Sequence, residues 1–373
     1  MTITLNGTTG ITTPDLTSED AITAGGVTYP TQGSFGHRNR IINGDMRIDQ
    51  RNAGAAVTIV NDTNQYTADR WQVIESSSCV LSAQQVTDAP ASFQNSLRLT
   101  VTTAAGSVGA SEVGIVEQRL EGFNTADFAF GTASASSVTL SFWVKSSITG
   151  SFSGSLRNGS SDRAYPFSYT ITAADTWEQK SVTIAGDTTG TWVTNNGIGI
   201  RLAFDIGSGS NRRGTAGAWA ASNLDGVTGA ASIVTTLNAT WQVTGVQLEA
   251  GSVATPFEHR LYGQELQLCK RYYSNLYANS GTAIYFLYVG AYTSGTNVCR
   301  GVVDLSPPMR AAPSFSYTGT VQSNPGLGTV SLSLPTATID KARIDVAHTT
   351  AATAAGSYGL FAANVVLSFS AEL

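Results

Sequence analysis

Residues able to do chemistry are few in this 373-residue chain, and their spacing is uninformative for catalysis. His37, His259 and His348 lie far apart, as do Cys79, Cys269 and Cys299, and no zinc-protease, nucleophile-elbow or phosphate-loop sequence occurs. His259, between Glu258 and Arg260, reads as a hydrogen-bonded joint residue rather than a base. Glycoside cleavage would need a pair of carboxylates, for which Asp162, Asp175 and Glu178 are the candidates. They fall in turns or at a strand start, where acids are ordinarily solvated. The sequence therefore predicts no catalytic residue, no cofactor and no metal site. What the residue types do offer is recognition. In Ser137–Lys145 the even-numbered residues are apolar, which sends Trp143 outward among hydroxyls, and the same parity turns Arg201 and Asp205 outward from 197–206. An aromatic face beside hydrogen-bonding groups is how a protein stacks on a sugar ring and holds its hydroxyls, so these three are the candidate glycan-binding residues. The alternative for Trp143 is cover by a loop or a neighbouring protomer.

The elements that must position them are mostly strands. Val138, Leu140, Phe142 and Val144 share one face, as do Ile198, Ile200, Leu202, Phe204 and Ile206. Period two with one apolar face means antiparallel sheets on a shared core. Similar runs at 71–75, 79–86, 96–102, 113–120, 151–156, 167–171, 178–185 and 240–248 predict an all-β fold, a jelly-roll β-sandwich over 37–259. A short helix over 260–274 links it to a smaller β-sandwich-like C-terminal domain, 275–373. Residues 1–36 hold too few large apolar side chains for a core and read as an extended segment, an attachment end or a disordered leader.

Within the helix, Tyr262, Leu266, Cys269 and Tyr273 are spaced four, three and four apart, as in a coiled-coil seam. Such a helix is too short to stand alone and must pack on its own domain or on copies of itself. In 284–289, Phe286 and Tyr288 point one way and Tyr285, Leu287 and Val289 the other, so both faces need cover. Tyr262, Leu266, Cys269, Tyr273, Phe286 and Tyr288 are accordingly the candidate interface between protomers.

Three stretches carry a resemblance. Asn39-Arg-Ile-Ile-Asn-Gly-Asp-Met46, the run from Trp241 through Arg260 into Leu268-Cys-Lys-Arg-Tyr-Tyr273, and Pro308-Met-Arg-Ala-Ala-Pro-Ser-Phe315 resemble bacteriophage tail-fibre and virion-appendage proteins. The order Asn43-Gly-Asp, Asp69-Arg-Trp71, Leu140–Lys145, Thr176-Trp-Glu178 and Trp241 resembles carbohydrate-binding-module jelly rolls. The first resemblance implies a homotrimer, attachment to another virion protein through residues 1–36, and adsorption to a host surface glycan. It leaves open a head fibre or capsid decoration, and a polysaccharide-degrading appendage. The second implies a structural calcium, but Thr244-Gly245 stands where the acidic pair would be.

Composition limits the partners further. Only 13% of residues are charged and the net charge is −5, which disfavours duplex nucleic acid. No apolar run approaches the length of a membrane span. An outward-facing composition without an export signal is expected of a virion part made in the host cytoplasm and released by lysis.

Overall fold

The structure, a computed structural model, describes residues 22–24, 27–29, 37–61, 63–278, 284–290, 298–323, 330–348 and 358–373. Contacts divide the chain into a first unit, Met1–Arg38, and a second, Asn39–Leu373. The first contains a hairpin of β1 (Ile22–Ala24) and β2 (Val27–Tyr29).

The second unit opens with β3 (Val57–Ile59), β4 (Thr63–Tyr66), β5 (Gln72–Glu75), β6 (Val80–Val86), β7 (Ser96–Thr103) and β8 (Gly114–Glu121). There follow β9 (Val138–Ser146), β10 (Gly150–Asn158), β11 (Ala164–Ile171), β12 (Glu178–Ile184) and β13 (Ile198–Asp205). The short β14 (Arg213–Gly214) and β15 (Gly226–Val227) precede β16 (Thr240–Ala250). Two six-stranded antiparallel sheets result, β11-β10-β13-β8-β5-β4 and β12-β9-β16-β7-β6-β3. The chain passes repeatedly from one sheet to the other, as in a jelly roll, with the hairpins β4-β5, β6-β7 and β10-β11 each staying within one sheet. The predicted apolar faces meet between them: Val138, Leu140, Phe142 and Val144 are fully buried against Leu202, Phe204 and Trp241. Burial of each such large side chain contributes roughly 1.5–3 kcal/mol.

Helix α1 (Tyr262–Lys270) leads into β17 (Tyr273–Ala278), β18 (Ile284–Gly290), β19 (Val298–Asp304), β20 (Ser314–Ser323), β21 (Val330–Ala337), β22 (Lys341–His348) and β23 (Tyr358–Ser370). The 13-residue β23 is the spine of this sheet. It pairs with β20 along one edge and with β17 and β18 on the other, while β19, β22 and β21 continue outward from β18. A second core of Leu305, Met309, Ile344, Val346, Leu367 and Phe369 lies on one face. Among the described residues the fold is thus all-β with one α-helix, as the alternation predicts. Phe286 and Tyr288 lie outside the described side chains.

Helix α1 differs from a free seam. Glu265 and Cys269 face inward, and Cys269, 1% exposed, joins Ile42, Ile48 and Tyr272 in a small third core against which Leu266 packs. Tyr273 begins β17 and its ring lies under the Arg51 guanidinium, 3.6 Å away. Cys269 and Tyr273 therefore spend their surfaces within the chain, and only Tyr262, 58% exposed, is left at the surface of the four. Of the two packings open to so short a helix, the one on its own domain is present, and beside Cys269 the inward face carries a carboxylate with a polar partner 222 residues away.

Candidate functional site

Trp143 does project from the outer face of the second sheet, opposite Gln179 on β12 and Thr244 on β16. That face is covered on both sides. The segment after β16 crosses it: Thr139 Oγ1 donates to Gly251 O at 2.8 Å, Thr183 Oγ1 to Ser252 O at 2.9 Å, and Glu258 N to Gln247 Oε1 at 2.8 Å. From the other side, residues 87–95 fold down, with Thr244 Oγ1 donating to Asn95 O at 2.7 Å. Between the two lies Gly245 (φ +61°), where a Cβ would stand 2.7 Å from Phe93 and 3.1 Å from Trp143. Phe93 in turn meets Phe257 edge-on at 5.1 Å. Trp143 is consequently half-buried beside Phe93, so the loop cover weighed as an alternative is present.

Next to it, Asp88 accepts hydrogen bonds from Lys145 Nζ at 2.5 Å and Trp177 Nε1 at 3.2 Å. The Lys145 bond comes first in holding the Asp88 carboxyl below its ordinary value. Trp177, read only as a strand landmark, joins Trp143 as a partly exposed aromatic on this side. The signal was its position just before an edge strand.

Arg201 and Asp205 belong to the other sheet, so the three predicted glycan residues do not form one site. Both face away from the core as parity required, but residues 207–213 close over Asp205, and Arg201 is tied down to Gly159 O and Glu117. Asp205 is fully buried, accepting from Gly207 N, Ser208 N, Ser153 Oγ and Arg213 Nε at 2.8–3.0 Å. Arg201 donates to Glu117 Oε1 at 3.1 Å. Glu117 also binds Arg119 and Arg157, and Arg157 reaches Asp225 at 2.6 Å. Burial alone would raise the Glu117 carboxyl, yet Arg157, Arg201 and Arg119 hold it below its ordinary value. Asp225 goes the other way, raised because burial outweighs Arg157 and Arg212. Each of the three carboxylates is thus already held by at least one arginine.

The candidate carboxylates for cleavage serve turns. Glu178 accepts from Thr172 N, Ala173 N and Lys180 Nζ. Its partial burial is outweighed by the Lys180 and backbone bonds, and the carboxyl falls to about 2. Asp162 accepts from Asn158 Nδ2 and Ser160 Oγ, which depress it too. A general acid needs the opposite shift. Among the described residues no group of three or more His, Cys, Asp or Glu could hold a metal ion, and no helix is long and apolar enough to cross a membrane.

A second dense constellation of polar side chains forms a joint between the jelly roll, α1 and the C-terminal sheet. Asn43 (φ +56°) donates from its backbone N to Glu265 Oε1 at 2.5 Å and from Nδ2 to Ile48 O and Asp69 O, and Trp71 Nε1 donates to its carbonyl. Gly44 must be glycine, since a Cβ there would sit 2.2 Å from Val246 O. Arg260 reaches Ile41 O and both oxygens of Glu265, and also bonds Asn39 O. Arg70, held at φ +72°, stacks on Tyr272 at 3.6 Å, donates to Arg119 O and pairs with Glu372. Arg271 grips Glu121 through two bonds of 2.6 and 2.9 Å, with Tyr272 Oη on the same carboxylate at 2.8 Å. Arg310 donates to Ala371 O, Glu372 O and Asn196 O. Asn39–Met46, Asp69–Trp71, Glu258–Arg260, Leu268–Tyr273 and Pro308–Arg310, far apart in sequence, converge here.

No protein-family model matches the chain, and no curated protein does. Among solved structures, it is similar to the enzymatically active domain of bacteriophage CBA120 tailspike protein 4, at 11% identity over 57% of this chain and 22% of that one, TM-score 0.31. It is also similar to a putative sugar binding protein from Bacteroides thetaiotaomicron (11% identity, 57% and 100% coverage, TM-score 0.34). A third is the family 11 carbohydrate-binding module of Clostridium thermocellum in complex with a mixed-linked tetrasaccharide (13%, 55% and 98%, TM-score 0.27). At these scores nothing about function passes from them to this chain.

Proposed function

We propose that this chain is a structural phage virion appendage, a tail fibre or similar, that displays β-domains for adsorption to a host surface glycan. One observation carries the reading: the sequence stretches that resemble appendage proteins are the ones that build the joint. A load taken by the C-terminal sheet passes to the jelly roll through buried ion pairs and stacked rings rather than through a free linker, as a reaching element requires. In this reading residues 1–36 attach to another virion protein and three chains assemble. A partly exposed Trp143 and Trp177 beside Lys145 and Asp88 support glycan contact on the second sheet, in place of the original trio.

Antibody against the chain, imaged on negatively stained particles, is expected to decorate a projecting appendage, and light scattering of the full chain to give three copies. Absence of the chain from purified particles ends the reading. Trp143→Ala is expected to weaken adsorption of the purified chain to host cells with little change in melting temperature. A large drop in stability with adsorption intact makes Trp143 a packing residue beside Phe93.

A further inference from the structure

The outer face of the first sheet carries three arginines in one row. Arg157 on β10 stands directly opposite Arg201 on β13, and Arg201 directly opposite Arg119 on β8. Opposed residues of neighbouring antiparallel strands share a face, with Cβ atoms about 4.5–5.5 Å apart, and like charges so placed repel. Carboxylates offset this only in part. Glu117 serves all three guanidiniums and Asp225 is divided between Arg157 and Arg212, so four positive groups share two negative ones. Arg157 is 3% exposed, where solvent screens its charge poorly. Burial pushes the Arg201 guanidinium below its ordinary value; Glu117 opposes that fall, while Arg119 and Arg157 add to it. The row also has hydrogen bonds left to give. Arg201 donates from Nε to Gly159 O at 3.2 Å and from Nη1 to Glu117, and Arg119 from Nε to Glu117 and from Nη1 to Leu373 O. Nη2 of each is left without a partner among the described residues, and both side chains reach the surface, 17% and 18% exposed.

We infer that Arg201 and Arg119 together bind one oxyanion, a carboxylate, sulfate or phosphate, through their Nη2 groups. Charge-assisted bonds from two guanidiniums suit such a group, and it brings the negative charge that the row lacks. Two free nitrogens on directly opposed residues fit a single anion rather than the run of phosphates along a nucleic-acid strand. The anion has two sources, a free inorganic ion and the acid group of a saccharide. The second deepens the adsorption reading, on which it rests, by making the host glycan acidic and by placing a contact on the sheet opposite to that of Trp143. Weak single sites would then act together on a multi-copy appendage.

Isothermal titration calorimetry on the purified full chain at low salt tests it, with inorganic phosphate, glucuronic acid and glucose as probes. Phosphate or glucuronate is expected to bind at a single site per chain, and glucose not at all. Arg201→Gln is expected to weaken anion binding about tenfold or more, the loss of one hydrogen bond to a charged group. Lys341→Gln, which removes an exposed positive charge from β22, is expected to leave it unchanged. Should Arg201→Gln fail to give a native far-UV spectrum, Arg119→Gln replaces it. Binding of glucuronate supports the saccharide source, whereas binding of phosphate alone supports the site and assigns it to a free inorganic ion. No binding of either anion, equal binding of glucose, affinity unchanged in the row variant, or an equal loss in Lys341→Gln overturns the inference. Absence of the chain from purified particles refutes the appendage reading and leaves the anion result standing.

Discussion

Glu265→Ala tests whether the joint is a structural lock. The carboxylate is buried on the inner face of α1, accepts the Asn43 N–H at 2.5 Å and faces Arg260 Nη1 at 3.3 and 3.4 Å. Removing it orphans a buried N–H, which costs about 1–3 kcal/mol, and strips a buried guanidinium of one partner, for which about 3–5 kcal/mol is usual. Both losses fall in one network and do not add in full, and Arg260 keeps Ile41 O, Asn39 O and Glu258. The net expectation is about 3–5 kcal/mol, a large part of a typical domain's stability. Glu265→Gln separates the terms, because the amide oxygen still accepts the N–H. Burial raises the Glu265 carboxyl above its ordinary value despite Arg260, so the charge itself is a burden at neutral pH. The raised value means that this burden is relieved as pH falls through it. Gln should therefore sit within about 1.5 kcal/mol of wild type. Guanidinium denaturation followed by tryptophan fluorescence and far-UV circular dichroism reads both variants. An alanine variant within about 1 kcal/mol of wild type would refute the reasoning, as would a glutamine variant as damaged as the alanine.

Gly44→Ala is expected to destabilise by about 3 kcal/mol or more, since the clash is with a backbone carbonyl that cannot rotate away; a thermal melt near wild type would remove Gly44 from the joint. Asp187→Asn tests pH linkage at the loop end of the sandwich, where Arg163 holds Asp187 by two bonds of 2.7 and 2.8 Å. Burial is outweighed there by Arg163 and Thr189, and the carboxyl lies below its ordinary 3.8, so its contribution is full at neutral pH and disappears as pH falls through the depressed value. The gap between wild type and Asp187→Asn should shrink below about pH 4 in denaturation curves, and a gap independent of pH would sink the assignment.

Strand parity made the sandwich legible: with one apolar face per strand, Val138–Val144 and Ile198–Ile206 allowed little else. The edge strands β3 and β4 were not, because Val57-Thr-Ile59 and Thr63-Asn-Gln-Tyr66 are too short and polar to show a period. Parity also sent Arg201 and Asp205 the right way, but nothing local announces that Arg213 returns to Asp205 or that Glu117 of a neighbouring strand takes Arg201. The same holds for Trp143, whose cover comes from residues around Phe93 and Phe257. The joint was half legible: its segments stood out as wording, yet their meeting depends on pairings such as Asn43 with Glu265 and Arg70 with Glu372, over 200 residues apart.

The place of β23 has a consequence for synthesis. The strand that unites β17, β18 and β20 is also the last of them to leave the ribosome, so the C-terminal sheet has no spine until translation has passed Ser370. The jelly roll, complete once β16 has emerged, can fold first. Until then the earlier C-terminal strands wait with unpaired edges, and any truncated product keeps them, a form prone to pairing with other nascent chains. Residues 371–373, held by Arg70, Arg119 and Arg310, then report to the jelly roll that the sheet behind them is finished.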